Sequence, residues 1–212
     1  MINNCFNIPE RLRLLDEEVM KTVADEFAEI DRICEFNQQK MLAAFIECGV
    51  GASSFGGSTG YGLDDRGRDM LDRVAAKVFG TESALMRMNF VSGTHALTVA
   101  LFGLLRPNDT MLCVTGRPYD TLLGVLGING ESSGSLREFG IGYDEVALLP
   151  DGTVNLAGIE EKLKAGTYKI VYIQRSRGYS LRPSLTVDEI GKIVRISKKI
   201  APDTPVVVDN CY

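Results

Sequence analysis

Three consecutive valines, Val206, Val207 and Val208, follow Pro205 and run directly into Asp209. A β-branched run with no polar alternation suits a strand covered on both faces, which is the environment of a parallel sheet. That restricts the chain to architectures with helices on both sides of the sheet. The run also delivers a carboxylate to the C-terminal end of its strand, the edge where ligands bind in open α/β sheets. An acid in such a place calls for a cationic or proton-donating partner. The sequence ends at Tyr212, three residues on, so the expectation is a sheet interrupted in the middle of its ligand-binding edge.

The preceding sequence agrees with this architecture. From about residue 64 onward strands and helices alternate. A helix over 68–79 stops at Gly80, a strand spans 84–89, and a helix ends at Leu105. Further strands are expected at 110–114, 145–149, 169–174 and 205–209, with helices at 119–126, 155–164 and 186–200 between them. The pattern predicts an α/β fold with a mostly parallel sheet and helices on both faces. Upstream, Leu12, Leu15, Val19, Val23, Phe27, Ile30 and Cys34 recur at helical steps and form one apolar stripe. A second short helix is expected to carry Met41, Leu42, Phe45 and Ile46 before Gly49. Such an arm either packs across a neighbouring subunit or folds back on its own core. Residues 49–62 form a glycine- and serine-rich loop containing Tyr61, read as a functional loop rather than a plain linker. The expected organisation is an N-terminal helical arm and loop over 1–62 and an α/β domain over 63–212.

Composition narrows the function classes. A net charge of -5 argues against nucleic acid or an anionic membrane as the main partner. No apolar stretch reaches the ~18–20 residues needed to span a membrane, and residues 1–5 lack the pattern of a signal peptide. The cysteines Cys5, Cys34, Cys48, Cys113 and Cys211 form no C-x-x-C pair, and His95 is the only histidine. Reduced thiols in a cytoplasmic protein with no structural metal are expected.

Candidate chemistry gathers at strand ends. Ser92-Gly93-Thr94 lies between a strand and a helix, where first-turn N–H groups and two hydroxyls can cradle a phosphate. Simple N-capping by Ser92 or Thr94 explains the same residues equally well. The P-loop pattern is absent, and Gly60-Tyr61-Gly62 lacks the spacing of a dinucleotide fingerprint. Tyr119, after strand 110–114, offers an aromatic face to a flat ligand or simply packs at a helix start. An anion cradle, an aromatic plate and the Asp209 carboxylate together suit pyridoxal 5'-phosphate, whose ring nitrogen the acid would keep protonated.

These residues belong to a wider pattern. The segments Gly60–Asp69, Val91–Ala96, Gly116–Tyr119, Ile173–Tyr179 and Val207–Tyr212 resemble, in order and spacing, the N-terminal half of fold-type I pyridoxal-phosphate enzymes. The resemblance is greatest to the methionine gamma-lyase-like proteins of the aluminium resistance group. It implies that Ser92, Gly93 and Thr94 hold the cofactor phosphate, that Tyr119 stacks on the pyridine ring and that Asp209 pairs with its nitrogen. It also implies that Tyr61 reaches into a neighbouring subunit's site, hence a homodimer or homotetramer. The wider family has a phosphate-binding arginine two residues after that tyrosine, where this chain has Leu63. Arg66 or Arg68 would substitute, or would form ion pairs with Asp64, Asp65 or Asp69. His95 either touches the cofactor or is a satisfied helix-start residue. In the segment Gln174–Arg177, a side chain would donate to the ring oxygen or bind a substrate carboxylate.

The Schiff-base lysine of these enzymes lies downstream of the aspartate strand, so no catalytic residue is expected within the chain. Lys162, Lys164, Lys192, Lys198 and Lys199 sit on amphipathic helices. The implied parent activity is a carbon–sulfur lyase acting on a small sulfur amino acid, with this chain alone inactive. An aldolase or aminotransferase of the same fold type, or a non-catalytic cofactor-binding scaffold, are the other readings.

Overall fold

A computed structural model describes residues 6–59, 61, 65–130 and 133–211. Cys5, Gly60, Gly62, Leu63, Asp64 and Tyr212 lie outside the described residues. The chain divides into two compact units, Met1–Met88 and Asn89–Tyr212.

The first unit is helical. Helix α1 spans Glu10–Thr22 and α2 spans Ala24–Glu47. The expected stripe therefore runs through two helices, and the short helix placed around Met41 is the end of α2. Val23 divides them at φ −109° and ψ 13°, although the ladder continues across it from Phe27 N to Val23 O. Thr22 Oγ1 donates to Val19 O at 2.7 Å, the same carbonyl that accepts from Val23 N. A hydroxyl competing for a ladder carbonyl bends a helix. A 3₁₀ turn at Ala52–Phe55 leads to α3, Arg66–Phe79. Ala44 and Cys48 pack against Val74 of α3, and Gly80 closes α3 in the left-handed region at φ 65°.

The strand expected over 84–89 is not formed. Asp72 of α3 takes Met86 N at 2.7 Å and the Arg87 guanidinium at 2.7 Å. A carboxylate on a helix thus occupies a donor that a strand would need for its ladder. Burial opposes ionisation of Asp72, but these two partners outweigh it and hold its carboxyl below the usual range.

The second unit contains α4 (Gly93–Leu104), β1 (Thr110–Cys113), α5 (Asp120–Leu126), β2 (Gly142–Glu145), α6 (Leu156–Ala165), β3 (Ile170–Gln174), α7 (Val187–Ile200) and β4 (Val206–Asp209). The four strands pair in parallel in the order β2-β1-β3-β4. Alternate residues of β1 and β3 face opposite sides. Met111, Cys113, Ile170 and Tyr172 pack with Leu101 of α4 and with Leu122 and Leu126 of α5. Leu112, Val171 and Ile173 pack with Ile159 and Leu163 of α6 and Ile193 of α7. Helices therefore cover both faces, as the sequence predicts.

Two strands depart from expectation. β2 occupies 142–145 rather than 145–149, because beyond Val146 the chain turns through Leu149 N to Thr153 O. Its polar residues are tolerated at an edge, where Asp144 accepts from Lys162 Nζ at 2.8 Å and Tyr168 OH at 2.7 Å. β4 is also an edge strand, and Val208 is 37% exposed, so the valine run is not buried on both faces.

Ile193 is the fully buried anchor of α7 on the sheet. Ile193→Ala should cost about 2–5 kcal/mol of unfolding free energy. Urea denaturation checks this: the midpoint should fall while the slope stays unchanged.

Candidate functional site

The strand order places a crevice where the chain reverses direction across the sheet. β1 leads outward to β2, whereas β3 leads the other way to β4, so the loops after β1 and β3 part at their C-terminal ends. There a cleft of about 780 Å³ is lined by Gly93, Thr94, Tyr119, Thr121, Arg177, Asp209 and Cys211, among others. All of these residues belong to the second unit.

Gln174, only 3% exposed at the end of β3, joins the two loops. Its backbone N–H donates to Thr115 Oγ1 at 3.0 Å, and its Oε1 accepts from Tyr119 N at 2.9 Å. Its Nε2 donates to Ser176 O at 3.0 Å. Both ends of the amide are thereby used inside the protein, and Gln174 is a bracket rather than a donor to a ligand. Gly178 completes the arrangement. It adopts φ +58°, and a Cβ there would lie 3.2 Å from Cβ of Tyr119. Glycine allows both the left-handed turn and the close approach to the ring's backbone.

The turn before α4 divides its labour. Ser92 Oγ accepts from His95 N at 3.1 Å and so caps the helix. Ser92 does not line the cleft, whereas Gly93 and Thr94 do. Among the described residues the amides of Gly93 and Thr94 donate to no acceptor, and they stand at the positive end of the helix. Thr94 Oγ1 lies 2.9 Å from Tyr119 OH and 2.8 Å from Thr121 Oγ1. Three hydroxyls thus converge beside free N–H groups. Thr121, one helical position into α5, was not singled out from sequence. Its signal is its place two residues after Tyr119.

Asp209 is 5% exposed at the end of β4. Its Oδ2 accepts from Tyr172 OH at 3.3 Å and its Oδ1 from Cys211 N at 3.2 Å. Among the described residues no cation comes within ion-pair distance of it.

The arginines of this edge separate by role. Arg175 Nε donates to Leu185 O, and its guanidinium reaches Asn210 Oδ1 at 2.7 Å. Arg182, 8% exposed, donates to the carbonyls of Gln174, Ser176 and Pro183. Its burial pushes the guanidinium below its ordinary value. Arg177 lines the cleft and is exposed, and its guanidinium takes no protein partner among the described residues.

The remaining sequence candidates lie elsewhere. His95 Nδ1 accepts from Val91 N at 3.4 Å, and its ring meets Phe90 edge-on at 6.0 Å. It fixes the turn and does not line the cleft. Tyr61 is 88% exposed in the first unit. Arg68 pairs with Asp65 at 2.9 Å, and Arg66 is exposed. Lys162 pairs with Asp144 and Lys164 with Glu160, and no lysine lines the cleft among the described residues. Nor is there a cluster of metal-binding side chains among the described residues, and no helix is long and apolar enough to cross a membrane.

Fold and cleft define an α/β protein with a cleft at the C-terminal edge of a parallel sheet. The chain belongs to the methionine gamma-lyase family, whose model matches residues 12–212. Among solved structures it is similar to a carbon-sulfur lyase involved in aluminum resistance from Clostridium novyi NT, at 50% identity and TM-score 0.90 over 97% of this chain and 49% of that one. It also resembles a Clostridium acetobutylicum protein provisionally described as a cystathionine beta-lyase involved in aluminum resistance. That match has 47% identity and TM-score 0.92 over 99% of this chain and 50% of the other. The uncharacterised protein YnbB of Bacillus subtilis strain 168 is 43% identical over 204 residues, which are 96% of this chain and 48% of YnbB. The chain thus spans about half the length of these relatives.

Arg182 had no local signature in the sequence, yet it holds the loop that carries Arg177. Arg182→Ala leaves the carbonyls it serves without their donor and should cost about 3 kcal/mol. Arg182→Lys should recover only part, because one ammonium cannot reproduce the fork. Thermal melts of the two variants check the order.

Proposed function

We propose that this chain forms the cofactor-binding half of a pyridoxal-phosphate-dependent carbon–sulfur lyase acting on a small sulfur amino acid. The observation that carries the proposal is Asp209: a buried carboxylate that lines a cleft, held by two neutral donors and, among the described residues, by no cation. A buried charge without a counter-ion is costly, and a ligand that brings a protonated ring nitrogen removes the cost. The rest of the cleft fits such a ligand. The free amides of Gly93 and Thr94, with the hydroxyls of Thr94 and Thr121, suit its phosphate. Tyr119 supplies a ring, and Arg177 supplies a charge for a substrate carboxylate.

Once bound, the cofactor would supply an electron sink for breaking bonds at the substrate's Cα and beyond. The chain's own residues would bind and orient. The Gly93–Thr94 turn anchors one end, Asp209 holds a proton on the ring nitrogen, and Gln174 keeps the two loops at a fixed separation. The lyase names of the relatives and the family membership support the activity. The lysine and the further walls of the site are assigned to the length that the relatives have beyond this match. The exposed apolar residues of α1 and α2, such as Leu12, Leu15 and Ile30, suit packing against a second subunit of a homodimer or homotetramer. Cytoplasmic location accords with the free thiols of Cys34, Cys48, Cys113 and Cys211.

Pyridoxine 5'-phosphate tests the site without needing a lysine, because it lacks the aldehyde. It should bind, and Asp209→Asn and Thr94→Ala should each weaken binding about tenfold or more in calorimetric titration. Unchanged affinity in both variants would sink the reading. Bound ligand should also shield Cys211, which lines the cleft, from alkylation while leaving exposed Cys34 reactive. Cys113 should stay unlabelled throughout, since burial pushes its thiol up to about 12. With pyridoxal 5'-phosphate itself, the chain alone should show no strong borohydride-reducible band confined to one lysine.

A further inference from the structure

Tyr172 is the largest side chain that is fully buried, at 0% exposure in the middle of β3. An apolar residue would serve the core as well as its ring does, so its hydroxyl needs a reason. A buried phenol is found with a partner, and the partner here is the Asp209 carboxylate at 3.3 Å. The register explains how they meet. Tyr172 pairs with Val207, and Asp209 lies two residues further along β4 on the same face. Burial, and next the charge of Asp209, push the Tyr172 phenol well above its ordinary range. It therefore keeps its proton and can only donate to the carboxylate.

With Oδ2 held by Tyr172 and Oδ1 held by Cys211 N, neither oxygen is free to rotate away. A donor to a carboxylate favours its ionised over its protonated form. We infer that Tyr172 is a positioning residue: by donating to Oδ2 it fixes the orientation of the Asp209 carboxylate as an acceptor and so makes the cleft select a ring with a protonated nitrogen over a ring of the same shape without one. This rests on the cofactor reading above and goes beyond it, because it locates the selectivity in a residue that touches no ligand.

Affinities of pyridoxine 5'-phosphate and of its 1-deaza analogue, in which carbon replaces the ring nitrogen, separate the possibilities. The native chain should prefer the nitrogen-containing ligand by about tenfold or more. Tyr172→Phe keeps the ring and removes only the donor. It should cut that preference severalfold by weakening the nitrogen ligand while leaving the deaza ligand unchanged. Equal weakening of both ligands, or an unaltered preference, would overturn the inference. Replacing Tyr172 with 3,5-difluorotyrosine, a stronger donor of nearly the same shape, should raise the preference, and a fall would count against it. If the native chain itself shows no preference or binds neither ligand, the cofactor reading fails and this inference with it. A native preference that survives Tyr172→Phe overturns the inference alone.

Discussion

The cleft depends on β1 and β3 lying side by side while their chain continuations leave in opposite directions. Parallel pairing of Met111 with Ile170 and of Cys113 with Tyr172 puts the end of β1 two residues short of the end of β3 at Gln174. Because each strand then departs toward a different edge, neither following loop can fill the space above the pair. Gln174 turns that opening into a defined site. With backbone and side chain together it ties Thr115, Tyr119 and Ser176, so the loops are held apart at one spacing. Arg182 secures the same loop from below through backbone carbonyls, which position it whatever side chains the loop carries.

The electrostatics of the cleft follow from this scaffold. Its acid is deep and its base is shallow. Asp209 is nearly inaccessible and has only neutral donors, whereas Arg177 is exposed and its guanidinium has no protein partner among the described residues. If the two met, they would neutralise one another and the cleft would have no charge preference. Kept apart, they leave the cleft with charges of opposite sign at different depths. The helix N-terminus at Gly93 adds a second anion-favouring position on another wall. The three hydroxyls of Thr94, Tyr119 and Thr121 satisfy one another without a ligand. Binding there exchanges hydrogen bonds and creates no deficit to be made good.

Much of this was legible because the informative residues are local. The valine run into Asp209 and the loop that carries Tyr119 follow strands that hydrophobic patterning locates, whereas the Ser92-Gly93-Thr94 turn opens a helix with no strand before it. Helix stops such as Gly80 were equally plain, since a left-handed cap announces itself. What failed was decided by partners distant in sequence. Residues 84–89 read as a strand, but Asp72, fourteen residues before Met86, took the backbone donor. The register of β2 was misplaced because an edge strand accepts Tyr143, Asp144 and Glu145, where patterning looks for apolar residues. Val208 is exposed for the same reason: an edge strand is covered less than its β-branched run suggests. Gln174 invited a ligand-facing role, and only the three-dimensional structure shows its amide consumed on both ends.

Tyr172 belongs to the same class of hidden information. In the run Ile170-Val171-Tyr172-Ile173 it reads as one more apolar core residue, and its ring behaves as one. Its hydroxyl acquires meaning only because β4 pairs with β3 in a register that brings Asp209 diagonally opposite. Shifting that register by one residue would send Asp209 to the other face, toward α6 and α7, and leave the phenol buried without a partner. The same shift would remove the carboxylate from the cleft. The pairing of β3 with β4 therefore sets both the satisfaction of a core hydroxyl and the acidity of the site.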